Sequence, residues 1–466
     1  MPPKEEIPER SNFWFNQVQE KTDSIKILDK ISIIFSFCLS FFSFIIFWPV
    51  ISKFSFEEAF FTPLAPFLIF IGEYFNIQAN QTLRVLFIVS FMVSTLGVYF
   101  LVRDMTKRQL PAILSSIIYL IPPIPIFVLT FLRTGVLKSE LVSARSFFTI
   151  IYGDGAHFMA LAFIPFTLLF FLRYLKKGVV NDLVLTVIFC SLVLLANRSQ
   201  ALSLVLIMTI SVVTESLLGL AREKLKRYLV VLLISSGLVS FWYTPNFWLE
   251  GLTLFIGQIV KNLKFLFPLP FIVGVLSLLF AFVLFARKER RQAVVIIFLI
   301  FIVFLGILLD WFINSHSFVP HPQRMFTNVN MFGSILLALV ITLLIDKSGI
   351  ADRFKVEKMS AYGRALTAII FGFISFMVLS IAAYTFSPLA ILAVAGPNGI
   401  WTKVRVNVIA DRQEALNLAG GNFKLISQNI DPWQLWLGYG ISLTFDLILI
   451  YLIFRMNVSE SKKENG

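Results

Sequence analysis

The side chains able to do chemistry fall in a few short stretches, and they are carboxylates, histidines, arginines and amides, not thiols. Glu57 and Glu58 form an adjacent acidic pair just after the first long apolar run. A carboxylate held at low dielectric beside a membrane has a raised pKa and suits general-base work. Taken alone, the same pair also describes a solvated loop tip. Asp154 and His157, in Tyr152-Gly153-Asp154-Gly155-Ala156-His157, are three residues apart. On a helix they share a face, as a metal ligand pair or a substrate clamp would. Asp154 in its glycine setting also suits a helix N-cap. The densest stretch is DWFINSHSFVPHPQRMFTNVN, residues 310–330, with Asp310, His316, His321, Gln323, Arg324, Asn328 and Asn330. Arg324 stands where an apolar run begins, so its guanidinium can fork onto phosphate oxygens or serve as an interfacial anchor. Arg198, in the polar turn Asn197-Arg198-Ser199-Gln200, can bind substrate or snorkel to the surface. The three histidines are not at metal-motif spacing, which argues against a zinc site.

These stretches are separated by apolar runs that must position them. The chain has 466 residues, 58% of them apolar, and a mean hydropathy of +0.84. That composition predicts an all-α, polytopic integral membrane protein. Apolar segments long enough to cross the hydrocarbon, about 20 residues each, suggest about twelve spans. They lie near 31–50, 83–102, 110–130, 156–173, 182–196, 201–220, 229–247, 265–286, 293–312, 326–345, 366–386 and 433–454. Between 31–50 and 83–102, residues 63–76 are apolar but too short to span, and they suit a segment lying in the interface. The connecting segments alternate in charge. One set, including both tails, carries 27 of the 40 Lys and Arg, so the positive-inside rule puts it and both termini in the cytoplasm. The net charge of +13 is thereby topological and calls for no nucleic-acid partner.

All three histidines and seven of the eight tryptophans fall on the other, outer side. An aromatic belt would be two-sided, so this asymmetry points to an outer face that is structured. Cys38 and Cys190 fall inside spans, where packing is the ordinary role. Few ionisable residues lie within the bilayer: Glu215 near an inner end, Asp310 near an outer end, and Asp446 well inside the last span. Proton pumps and transporters place such groups near the midplane. No internal repeat is evident. The chain divides into a cytoplasmic tail (1–30), a transmembrane core with outer loops (31–386), a small outer loop or subdomain (387–432), and a last span with its tail (433–466).

The layout resembles the GT-C class of membrane glycosyltransferases, especially the polytopic family labelled 6-pyruvoyl-tetrahydropterin-synthase-related, a label that implies no pterin chemistry. The matching features are Glu57-Glu58 in the first outer loop, Thr62-Pro63-Leu64-Ala65-Pro66, and the segment Leu83–Arg108 with its basic end. Pro122-Pro123, Gly153–His157 before Pro165, and the His321–Arg324 loop also match. The resemblance implies that Glu57 or Glu58 is the catalytic base, Asp154 the second acidic motif, and Arg324 the contact to a polyprenyl-phosphate sugar donor. His157, Arg198, His316, His321 and Asn328 are the further candidates for substrate binding. It also implies a plasma-membrane location and a glycan, lipid or protein acceptor on the outer face. If the acidic groups and His157 converge, a divalent cation such as Mg or Mn is a possible cofactor. Two features depart from the family: its first-loop acid is often Asp, and its large outer C-terminal domain is here reduced to about 45 residues. The alternatives are a lipid or polysaccharide flippase and a non-catalytic scaffold of similar fold.

Overall fold

The computed structural model describes residues 30, 33–38, 41, 59–120, 155–216, 220–262, 292–315, 317, 319, 321–347, 400–418, 420, 424–425 and 430–464. Glu57, Glu58, Asp154 and His316 lie outside this set, as do the expected spans near 265–286 and 366–386 and most of 31–50. Apart from one two-residue strand pair, the regular elements described are helical. They are α1 (Leu64–Tyr74), α2 (Ala79–Thr106), α3 (Gln109–Leu120), α4 (Gly155–Lys177), α5 (Val180–Ala196) and α6 (Arg198–Ser216). There follow α7 (Ala221–Leu238), α8 (Pro245–Asn262), α9 (Gln292–Asn314), a 3-10 turn (Pro322–Met325), α10 (Phe326–Lys347), α11 (Ile400–Leu418) and α12 (Pro432–Glu464). Among the described residues, six stretches are long and apolar enough to cross a membrane: Ala79–Thr106, Gly155–Lys177, Arg198–Ser216, Val294–Ile313, Pro322–Ile345 and Pro432–Phe454. The chain is a helical membrane protein.

Helix α4 is the axis of the bundle. Its apolar window is 83% buried, against 11% for α12 at the periphery. With 23 residues it rises about 35 Å, so its two ends lie in different surroundings. Lipid is as apolar as leucine, so such helices are held by close packing and hydrogen bonds more than by the hydrophobic effect. Gly97 of α2 supplies the close approach. A Cβ there would come within 2.8 Å of the Phe166 ring and 3.1 Å of Pro165 on α4. Phe166 and Phe170 of α4 stack on Phe189 of α5 at 5.2 and 5.8 Å between ring centres, which is one use of the chain's many phenylalanines.

The span expected near 229–247 is interrupted. Helix α7 stops at Leu238, a turn follows, and α8 starts at Pro245. Proline cannot donate a helical hydrogen bond, and a break inside a membrane is tolerated only where its backbone groups find partners. Ser442 of α12 provides them. Its hydroxyl accepts from Phe241 N at 2.9 Å and donates towards Leu238 O at 2.9 Å and Gly237 O at 3.2 Å. Gly438, one turn earlier, lets α12 lie against the Ser240 carbonyl, where a Cβ would collide.

At the end of the bundle where α2, α4 and α6 finish, charges pair. Asp104 accepts from Arg173 at 2.8 Å and Lys107 at 2.6 Å. The buried Glu215 carboxylate meets Lys224 at 3.1 Å and Lys176 at 3.6 Å. Arg227 donates to Leu175 O at 2.6 Å and Tyr174 O at 3.3 Å, closing the last turn of α4 just before Gly178. Cations at a helix C-terminus also offset its dipole.

At the opposite end, the first loop and the late loop meet. Strand β1 (Ala59–Phe60) pairs in parallel with β2 (Lys424–Leu425), Ala59 opposite Lys424 and Phe60 opposite Leu425. The expected 387–432 subdomain therefore contributes helix α11 and this strand to the same end as the polar loops.

Candidate functional site

The site begins at the turn between α5 and α6. Helix α5 ends with bare carbonyls, as every helix does, and two side chains cover them: Thr62 donates to Ala196 O at 2.6 Å and Tyr243 to Leu194 O at 2.9 Å. Asn197 then caps α6, its Oδ1 accepting from Gln200 N at 3.0 Å, the ordinary bond between an N-cap and the third residue of a helix. That cap fixes the first turn of α6 and with it the side chain of Gln200.

Gln200 is the hub of a fully buried polar network. Its Oε1 accepts from Asn328 Nδ2 at 3.1 Å, and its Nε2 lies 2.9 Å from His157 Nε2. Thr327 Oγ1 sits 2.9 Å from the same ring nitrogen and donates to Arg324 O at 3.1 Å. Gln200 Nε2 also lies 3.3 Å from His157 Nδ1. His157, Gln200, Thr327 and Asn328 are all 0% exposed. Three helices contribute: α4 gives His157 from its first turn, α6 gives Gln200, and α10 gives Thr327 and Asn328. Burying so many polar groups is costly unless they satisfy one another. They nearly do. Asn328 Oδ1 is buried with no hydrogen-bond partner among the described residues.

A second, shallower cluster adjoins the first through Arg324. His321 has a left-handed backbone, φ 51°, and Pro322 opens the 3-10 turn that follows. The side chains of that turn gather on Asp411 of α11. Gln323 Nε2 donates to Asp411 Oδ2 at 2.7 Å, with His321 Nδ1 at 3.4 Å and Arg324 Nε at 3.9 Å from the same oxygen. Burial works against the Asp411 charge. The hydrogen bond from His321, the charges of His321 and Arg324, and the Gln323 bond outweigh it and hold the carboxyl below its ordinary range.

The structure thus places the sequence candidates in two groups. His157 and Asn328 meet through Gln200, and His321 and Arg324 meet through Asp411. Arg198 lies beside the network without entering it, its guanidinium 5.8 Å from the ring centre of Phe61. Phe61 is fixed in turn by the Trp242 indole, which donates to its carbonyl at 3.3 Å. Glu57, Glu58, Asp154 and His316 fall outside the described residues. The described chain resumes beside two of these positions, at Ala59 in β1 and at Gly155 opening α4. Among the described residues no three His, Cys, Asp or Glu side chains converge as metal ligands.

Gln200, Thr327 and Asp411 carry the geometry without having been singled out from sequence as site residues. Gln200 had a signal, since it closes the polar Asn197–Gln200 turn at the head of an apolar helix. Thr327 had only its place between Arg324 and Asn328. Asp411 had none, for it lies 88 residues beyond Gln323. Comparisons with protein-family models, with curated proteins and with solved structures find no match for this chain.

Proposed function

We propose that the chain is a plasma-membrane glycosyltransferase of GT-C type. It would transfer a sugar from a polyprenyl-phosphate donor to a glycan, lipid or protein acceptor on the outer face. One observation supports this reading above the others: a buried polar network, His157–Gln200–Thr327–Asn328, adjoins the Arg324–His321 cluster through the bond from Thr327 to Arg324 O. A lipid-linked sugar phosphate needs that pairing of surfaces. Cationic donors suit the phosphate at the membrane boundary, and hydroxyl, amide and imidazole groups suit a sugar.

In this reading Arg324 and His321 receive the phosphate, and the leftover acceptor Asn328 Oδ1 takes a sugar hydroxyl. The acceptor's O–H gives its proton to a carboxylate, for which Glu57, Glu58 and Asp154 are the candidates. Its oxygen bonds to the anomeric carbon as the bond from that carbon to the phosphate oxygen breaks. The electron pair leaves with the lipid phosphate, whose growing charge Arg324 and His321 stabilise.

The test is sugar transfer in membranes supplied with defined lipid-phosphate donors. A charge-assisted contact is worth roughly 1.5–3 kcal/mol. Arg324→Ala should therefore lower donor use about tenfold to a hundredfold with insertion intact. Arg324→Lys should recover part of the loss, because the charge survives and the fork does not. Transfer by Arg324→Ala at the wild-type rate would make Arg324 an interfacial anchor and move the donor site elsewhere.

A further inference from the structure

Three donors converge on a single oxygen, Asp411 Oδ2, at 2.7 Å from Gln323, 3.4 Å from His321 and 3.9 Å from Arg324. All three come from four consecutive residues, brought round one point by the left-handed His321 and the 3-10 turn after it. Such a turn is a cradle for an oxyanion. Its occupant here is a carboxylate from a different element, α11.

Two plainer roles for Asp411 fail. As a general base it is mismatched, because its neighbours hold it ionised below the ordinary carboxylate range, which makes it a weak proton acceptor near neutrality. As a mere fastener for α11 it is redundant. Lys403 already ties that helix to the end of α9, donating to Phe312 O at 3.0 Å and Ser315 Oγ at 3.1 Å, with its ammonium 5.1 Å from the centre of the Trp311 ring. Val408 and Leu416 of α11 are buried as well.

We propose that Asp411 is a built-in competitor: its carboxylate occupies the cradle of His321, Gln323 and Arg324 until a phosphate group displaces it, and it returns to expel the phosphate product. The proposal rests on the reading of Arg324 as a phosphate-binding group. The chemistry explains why such a competitor is useful. A sugar phosphodiester donor carries one negative charge, whereas the phosphomonoester left after transfer carries about −1.5 to −2 at neutral pH. A cradle that stabilises the departing phosphate holds the product more tightly than the donor. A tethered carboxylate lowers the apparent affinity of every anion by the fraction of time the cradle stands open, and so frees the product.

The experiment titrates the purified full-length chain in lipid nanodiscs with farnesyl monophosphate, a short soluble isoprenyl phosphomonoester, and follows its dissociation. Asp411→Asn keeps an acceptor oxygen for Gln323 and removes the charge. If the carboxylate holds the cradle nine-tenths of the time, Asp411→Asn should bind about tenfold more tightly, with slower release. Asp411→Glu, which keeps the charge, should stay near the wild type, and Arg324→Ala should bind more weakly. Damage to the fold cannot produce tighter binding. Asp411→Asn binding no more tightly than the wild type overturns the proposal, and a weakened Arg324→Ala in the same titration shows that the phosphate reading survives it. If Arg324→Ala binds like the wild type, the phosphate reading falls and the competitor falls with it.

Discussion

At one end of the bundle, buried carboxylates meet lysine and arginine; at the other, imidazole, amide and hydroxyl groups gather into one buried network, with Asp411, His321 and Arg324 more exposed beside it. Glu215, 1% exposed, sits between Lys224 and Lys176, and Asp104 sits between Arg173 and Lys107. Each carboxylate is matched by contact, and what the contacts join is helix to helix: α6 to α7 and α4, α2 to α4. The His157–Gln200–Thr327–Asn328 network also joins three helices, through side-chain hydrogen bonds, and ends in an acceptor, Asn328 Oδ1, with no partner among the described residues. A matched ionic pair is a closed unit with nothing left to bind. An amide–imidazole–hydroxyl network with a spare acceptor is already desolvated and oriented, which is what a polar ligand needs from a site. The first end holds helices together; in the proposed reading the second receives the sugar phosphate.

Breaking one partner at each end tests that contrast, and the largest loss belongs to the closed end. Lys224→Ala removes the nearer of two lysines that meet the buried Glu215 carboxylate. Removing one partner of a buried pair costs about 3–5 kcal/mol. Thermal unfolding in detergent should show the loss, and Lys224→Ala/Glu215→Gln should restore most of it. If the single variant unfolds like the wild type, Glu215 is better solvated than its burial indicates. Gln200→Ala comes next. It removes the hub and leaves buried partners unsatisfied, at about 1–3 kcal/mol. Its distinguishing mark is disproportion: sugar transfer should fall by at least about a hundredfold, whereas Lys224→Ala should lower activity only as far as it lowers the amount of folded protein. Equal scaling of activity with stability in both variants would erase the difference between the ends. Arg173→Ala should do least at the closed end. Arg173 is 38% exposed, so its bond to Asp104 is worth about 0–1 kcal/mol after screening, a shift near the limit of a melting experiment.

The smallest effect is with pH, and its sign follows from Asp411. A carboxyl whose pKa is lower folded than unfolded stabilises the fold above its unfolded value, and loses that contribution as pH falls through the folded value. Burial opposes the Asp411 charge, but His321, Arg324 and Gln323 outweigh it and bring the net shift downward. Hydrogen exchange in α11 should therefore show no step from Asp411 between about pH 5 and 8, and a modest acceleration below about pH 4. Asp411→Asn should lack that step. A step near neutrality that survives in Asp411→Asn would belong to a different group.

How much of this was legible in the sequence depended on whether the signal was local. The head of α4 at Gly155 and the start of α10 just after Arg324 follow from polar residues bounding apolar runs. The break between Leu238 and Pro245 had a visible cause in Pro245, but the apolar run carried straight through it. What makes the break tolerable is Ser442, some two hundred residues later, and no window of local hydropathy contains both. Gln200 looked like part of a turn because its partners, His157 and Asn328, stand 43 and 128 residues away.

The sequence by itself determined that the chain is helical and a membrane protein. Those properties depend on composition and period, which each segment carries alone. Only the tertiary structure decided which polar groups share a network, that Arg324 faces an aspartate of α11, and that one amide oxygen of Asn328 is left over among the described residues. Hydrogen bonds and charge pairs depend on distances of about 3–4 Å between atoms, and helices far apart in sequence set those distances only when they pack.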